Sequence, residues 1–187
     1  MIIDALQCGH FDRGSFEALR RGGYSAVTPT LGFWEGTMES LDSLARWRDM
    51  ERENADLILI ARTAADIERA ETEGKLAVVL GYQNSNLFED RIAFVEFFAE
   101  LGVRVVQLTY NNQNELGGSC YEENDSGLAR FGRDVVREMN RVGMLVDLSM
   151  SATGRLSTPS NGRKGRLRSR MPMPLRFLPT SATSRTR

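Results

Sequence analysis

The segment from Val103 to Met150 constrains this chain most, because its apolar residues switch period twice. Val103-Arg104-Val105-Val106-Gln107-Leu108-Thr109-Tyr110 is β-branched and apolar, the signature of a buried strand. A polar run, Asn111-Asn112-Gln113-Asn114, follows it, and then a loop with Gly117, Gly118 and Cys120. Leu128, Phe131, Val135, Val136 and Met139 recur at helical spacing, which predicts a helix over 127–141 with Asp125 or Ser126 as its cap. Gly143 ends that helix, and Met144-Leu145-Val146-Asp147-Leu148-Ser149 is a second apolar strand. Two buried strands joined by a crossover helix make a right-handed βαβ unit. In parallel α/β folds the chemistry gathers at strand C-termini. Here those ends are Tyr110-Asn111-Asn112 and Ser149-Met150.

The same alternation runs upstream. Residues 1–7 read as a strand and 15–21 as a helix with Phe16 and Leu19 inward. Residues 24–31 form the next strand, where Pro29 marks a bulge or a strand end. Residues 37–52 form an amphipathic helix whose apolar stripe is Met38, Leu41, Leu44, Ala45 and Trp47. A short apolar segment covers 56–60. Thr63 caps a helix over 64–73, with Asp66 at the capping-box position. Residues 76–82 are a strand, and 91–101 a helix burying Ile92, Val95, Phe98 and Ala99. Five strands alternating with helices imply a parallel α/β fold. Periodicity alone does not separate an open sheet from a barrel.

Particular residues go further. Leu108-Thr109-Tyr110-Asn111-Asn112-Gln113-Asn114, Gly127-Leu128 with Phe131-Gly132, Met139-Asn140-Arg141-Val142-Gly143-Met144 and Val146-Asp147-Leu148-Ser149 resemble the membrane (renal) dipeptidase family. Its members are binuclear-zinc peptidases on a TIM-barrel scaffold. The resemblance implies an incomplete (β/α)8 barrel, about the first five strand–helix units, over residues 1–149. It also implies a small dipeptide-like substrate and hydrolysis by a metal-activated water.

In that family zinc is held by His-x-Asp after strand one, a bridging Glu after strand three, and histidines after strands five and six. Matched residue by residue, Asp4 stands at the leading Asp, Leu6 and Cys8 at the His and Asp, Gln83 at the bridging Glu, and Met150 at the fifth-strand His. Tyr110 stands where many members have a substrate-binding His. Leucine cannot ligate a metal, and a neutral amide bridges two dications poorly. Cys8 could ligate or be a small buried residue. A literal His-x-Asp occurs at His10-Phe11-Asp12, in the loop after strand one, and reads first as a surface loop and only second as a ligand pair. Asp147 reads as a structural partner. No complete zinc site can be written, so the expectation is a chain without bound zinc and without activity. The alternative is a non-catalytic small-molecule binder, with Asn84, Tyr110, Asn111, Asn112 and Asn114 around a polar pocket.

Composition matters at one point. The 187 residues carry a net charge of −1, yet residues 151–187 hold nine of the 24 basic side chains and none of the 25 acidic ones. The alternation stops there, which sets a boundary at 149/150. Arg163-Lys164-Gly165-Arg166-Leu167-Arg168-Ser169-Arg170 could bind nucleic acid through charge, but the tail's one aromatic, Phe177, gives no stacking platform. It also reads as a disordered tail. A shifted frame explains more. Read one base earlier, codons compatible with Ser149 to Thr153 give His-Val-Gly-Asp after the serine, and two later blocks shift into further family-like segments, one containing the second histidine. Two cysteines, no apolar run near membrane length and no leader-like N-terminus fit a reduced cytoplasmic protein. Five strands of a barrel leave open edges, so oligomers or aggregates are expected.

Overall fold

A computed structural model describes residues 1–124 and 126–151. Asp125 and the arginine-rich stretch lie outside the described residues. The elements run β1 (Ile3–Gln7), α1 (Arg13–Arg21), β2 (Ala26–Pro29), α2 (Thr37–Glu53), β3 (Ile58–Ile60), α3 (Ala64–Thr72), β4 (Leu76–Val78), β5 (Leu80–Tyr82), α4 (Ala93–Glu100), β6 (Val103–Gln107), α5 (Arg130–Val142) and β7 (Leu145–Asp147). Every strand pairing is parallel, in the orders β1-β2-β4-β3 and β5-β6-β7. β4 and β5 are two pieces of the one strand expected over 76–82, interrupted at Val79. The Val79 amide donates to Val27 O at 2.9 Å and the Leu31 amide to Gly81 O at 2.9 Å, which stitches the two ladders together. The result is one parallel arc of β1, β2, β4–β5, β6 and β7, part of a (β/α)8 barrel as the sequence implied.

Alternation divides the strands between two cores. Val27, Val78, Tyr82, Val106 and Leu108 join Phe16 of α1, Leu44 and Trp47 of α2, Phe98 of α4, and Val135 and Met139 of α5. The other face carries Leu6, Ala26, Ala77, Val79 and Val105, and α3 covers it with Ile67 and Ala70. Alanines on that face let α3 approach closely. Gly81 is required there: a Cβ would lie 2.7 Å from Thr28 Cγ2 and 2.8 Å from Leu6 Cδ2. Opposite it, β1 shifts register between Asp4 and Gln7, and Leu6 takes φ 50°. A leucine in the left-handed region costs about 1–3 kcal/mol.

Several sequence expectations are corrected. The 56–60 segment contains a true strand, β3, which among the described residues pairs with β4 alone. The stripe of α2 is rotated: Met38 and Ala45 are exposed, while Ser40 and Ser43 are buried. The reason is polar. The Ser43 hydroxyl donates to Leu31 O at 2.8 Å, and the Ser40 backbone carbonyl accepts from the Tyr82 hydroxyl at 2.9 Å, an approach that a small side chain at position 40 permits. In the 91–101 segment the α-helix begins only at Ala93, and Ile92 is exposed. α5 begins at Arg130, not Gly127, with Ala129 at its N-cap and no side-chain cap. Ser126 is therefore not the cap. Helix packing explains the late start. The Ala129 amide donates to Leu116 O at 2.8 Å, so the loop carbonyl takes over the capping contact.

Candidate functional site

The matched positions after strands one and three converge. Cys8 lies one residue past β1, Thr30 just past β2 and Gln83 just past β5. The Cys8 thiol donates to Gln83 Oε1 at 2.9 Å across 75 residues of sequence. The Thr30 hydroxyl donates to the same oxygen at 3.1 Å and lies 3.8 Å from Cys8 Sγ. Three neighbouring strand ends thus present a neutral, mutually bonded cluster.

The other matched residues do not complete a metal site. Leu6 is buried in the smaller apolar core. The Met150 carbonyl accepts from the Cys120 amide at 3.0 Å and the Ser119 hydroxyl at 2.9 Å, so this residue ties down a loop. His10 is exposed. Asp12 is the N-cap of α1 in a capping box with Ser15. The Ser15 backbone amide, then its hydroxyl, hold the Asp12 carboxyl below the usual carboxylate range. The sequence reading of Asp12 as a ligand missed this, although Asp followed three residues later by Ser before an apolar helix is a capping signal. Asp147 folds onto Ser149, accepting from its amide at 2.8 Å and its hydroxyl at 3.0 Å.

Zinc takes anionic or imidazole donors, and catalytic sites leave one position open for water or substrate. Among the described residues no three His, Cys, Asp or Glu side chains are grouped so as to hold a metal ion. Gln83 is an amide whose oxygen already accepts two hydrogen bonds. These donors do not fit a binuclear zinc centre.

The second half of the site follows β6. The Tyr110 ring lies 4.9 Å from Phe33 and 5.4 Å from Trp34, between ring centres. The Asn112 amide donates to Tyr110 O at 2.7 Å around Asn111, whose φ is 60°. That is a γ-turn, and asparagine tolerates it better than most residues. Asn114 is a clamp: its amide nitrogen lies 2.8 Å from Asn84 Oδ1, 3.0 Å from Ser85 Oγ and 2.8 Å from Leu108 O. Its oxygen accepts from the Leu116 amide at 2.8 Å. The amides of Asn84 and Asn114 are thereby committed to holding the loop. Beside them lies a groove of about 340 Å³, lined by Trp34, Gly36, Asn86, Glu89, Asn114 and Glu115, among others. Sequence reading missed Thr30, Trp34 and the groove carboxylates. Applying the strand-end rule to the strand over 24–31 would have named Thr30 and Trp34; nothing local marks the glutamates.

Fold and site together define a (β/α)8-type scaffold with a polar site at its strand C-termini. The profile described as membrane dipeptidase (peptidase family M19) matches residues 19–158. This chain belongs to that family. It is 35% identical over 115 residues to dipeptidase tcpJ of Claviceps purpurea, covering 60% of this chain and 26% of that protein. It is 38% identical over 81 residues to dipeptidase 3 of Rattus norvegicus, covering 40% of this chain and 17% of that one. Among solved structures, an amidohydrolase from Pseudomonas aeruginosa superposes with a TM-score of 0.78 at 43% identity, covering 80% of this chain and 46% of its own. A metallo peptidase from Rhodobacter sphaeroides, liganded with a phosphinate mimic of the dipeptide L-Ala-D-Ala, shares the fold with a TM-score of 0.65 at 17% identity, covering 76% of this chain and 50% of its own. The chain spans about half the length of these solved structures and about a quarter or less of the curated relatives.

Proposed function

We propose that this sequence comes from a dipeptidase-like hydrolase acting on dipeptides or related small amides, and that the 187 residues themselves bind such molecules without zinc-dependent turnover. The family supports the substrate class and the use of a metal. The contact of Cys8 with Gln83 at 2.9 Å supports the second part. It fills the place of a bridging carboxylate with a neutral amide whose oxygen is already occupied. Tyr110, Asn111 and Asn112 are the substrate-facing residues in this reading, and the Cys8–Thr30–Gln83 cluster offers hydrogen bonds rather than charge.

Two measurements test it together. The chain is dialysed against zinc, washed, and assayed for metal content by mass spectrometry and for release of free amino acid from L-Ala-D-Ala. Substoichiometric zinc and background hydrolysis are expected, with dipeptide binding still seen in equilibrium dialysis. Zinc-dependent turnover by these residues would overturn the proposal.

The proposal takes residues 150–187 as a reading one base out of register with the rest. The coding DNA around Ser149 decides this. A shifted frame that meets stop codons, or that yields no His-Val-Gly-Asp block, removes that part. A functional basic tail would then be the better account of the nine basic side chains.

A further inference from the structure

We propose that the groove beside Tyr110 is a recognition site for a cationic group, a guanidinium or alkylammonium carried on the side chain of a dipeptide-like ligand. The inference rests on the dipeptide reading above and adds the charge class of the ligand. Trp34 forms one wall and is 56% exposed. Its ring lies 5.8 Å from that of Phe33 between centres, tilted by 35°, and meets Tyr110 edge-on at 5.4 Å. Its carbonyl accepts from the Asn86 side-chain amide at 3.3 Å, which ties the Trp34 loop to the opposite wall. An exposed indole lining a groove can offer its π-face to a ligand, and aromatic faces attract cations.

The charge lining the groove has one sign. Glu89 and Glu115 line it, and among the described residues no basic side chain does. A Cβ at Gly36 would lie 3.4 Å from Glu39 Oε2 and 4.0 Å from Glu89 Oε1, so a third carboxylate converges on the same rim. The groove's volume, about 340 Å³, suits one amino-acid-sized group. Position links it to the strand-end cluster. Asn86 is three residues past Gln83, and Asn114 four past Tyr110.

The test is equilibrium dialysis, which reads ligand per chain whatever the assembly state. The ligands are Ala-Arg and its neutral isostere Ala-citrulline, with agmatine as a cation lacking the dipeptide. Ala-Arg is expected to bind about tenfold tighter than Ala-citrulline at low salt, the gap narrowing as salt screens it. The gap is expected to close in a Glu89→Gln/Glu115→Gln double variant, and Trp34→Ala to weaken both cationic ligands. Equal binding of Ala-Arg and Ala-citrulline overturns the inference and leaves the dipeptide reading intact. Salt-sensitive agmatine binding, lost in the double variant, with no dipeptide binding supports the groove and removes the dipeptide reading. The chain's own basic residues are the competing occupant. If changing Arg163, Arg166, Arg168 and Arg170 to Gln tightens agmatine binding by more than about tenfold, the groove is filled in cis and the ligand assignment falls.

Discussion

At about 10 μM and above, the chain is expected to self-associate in sedimentation velocity, with the weight-average mass rising with concentration. The cause is the pair of free edges. Among the described residues β1 pairs with β2 alone and β7 with β6 alone. A closed barrel has no such edges, because its last strand pairs with its first. Apolar side chains mark both places. Met1 and Ile2, at the start of β1, are 70% and 49% exposed, and Leu145 on β7 is 37% exposed. An unpaired strand bearing exposed apolar groups is a template for another chain. Ile2→Lys with Leu145→Lys puts a charge on each edge and is expected to shift the distribution toward monomer. A monodisperse monomer that melts cooperatively, seen with the unaltered chain, would contradict this reading of the edges.

Gly132→Ala is expected to unfold the docking of α5, although alanine is the better helix former by about 1 kcal/mol. A Cβ at Gly132 would lie 2.1 Å from Leu116 O and 2.9 Å from Leu116 C. Those are backbone atoms and cannot swing aside. Leu116 is itself buried, and its carbonyl accepts from the Ala129 amide at the helix start. The helix would have to lift, breaking that bond and uncovering Val135 and Met139, both fully buried. A loss of about 3 kcal/mol or more follows from such overpacking and exposure. Gly14→Ala in α1 is the control, since its nearest neighbour is Asp12 Oδ1 at an ordinary 3.5 Å. It is expected to be neutral or stabilising by up to about 1 kcal/mol. Hydrogen-exchange mass spectrometry on peptides from each helix separates the two. If residues 130–142 stay as protected in Gly132→Ala as in the parent, the close approach to Leu116 is wrong.

The comparison of α2 with α5 shows how sequence reading worked and failed. The stripe of α5 was legible because Val135 and Met139 are large, apolar and at helical spacing. The phase of α2 was misread because its inward face includes Ser40 and Ser43. Ser43 is buried to bond the Leu31 carbonyl, 12 residues away, and Ser40 packs where its backbone carbonyl accepts from the Tyr82 hydroxyl, 42 residues away. Periodicity scores hydrophobicity and cannot see a hydrogen bond waiting on another element. The loop over 111–129 was illegible for a related reason. Its course is set by the Asn114 clamp and by the close approach of Gly132 to Leu116, not by local propensity.

The amino-acid order alone determined the succession of strands and helices, the parallel arrangement and the family. Each follows from burial that repeats at a local period, and from motifs contiguous in the chain. It also identified Leu6, Cys8 and Gln83 as departures from the family's ligand pattern. Only the tertiary structure decided that Cys8 meets Gln83 over Thr30, that Asp12 is a helix cap, and that Trp34 shares a groove with Glu89 and Glu115. Those contacts join residues tens of positions apart. Their distances are set by strand register, barrel curvature and loop course together, and no local stretch of chain encodes that geometry by itself.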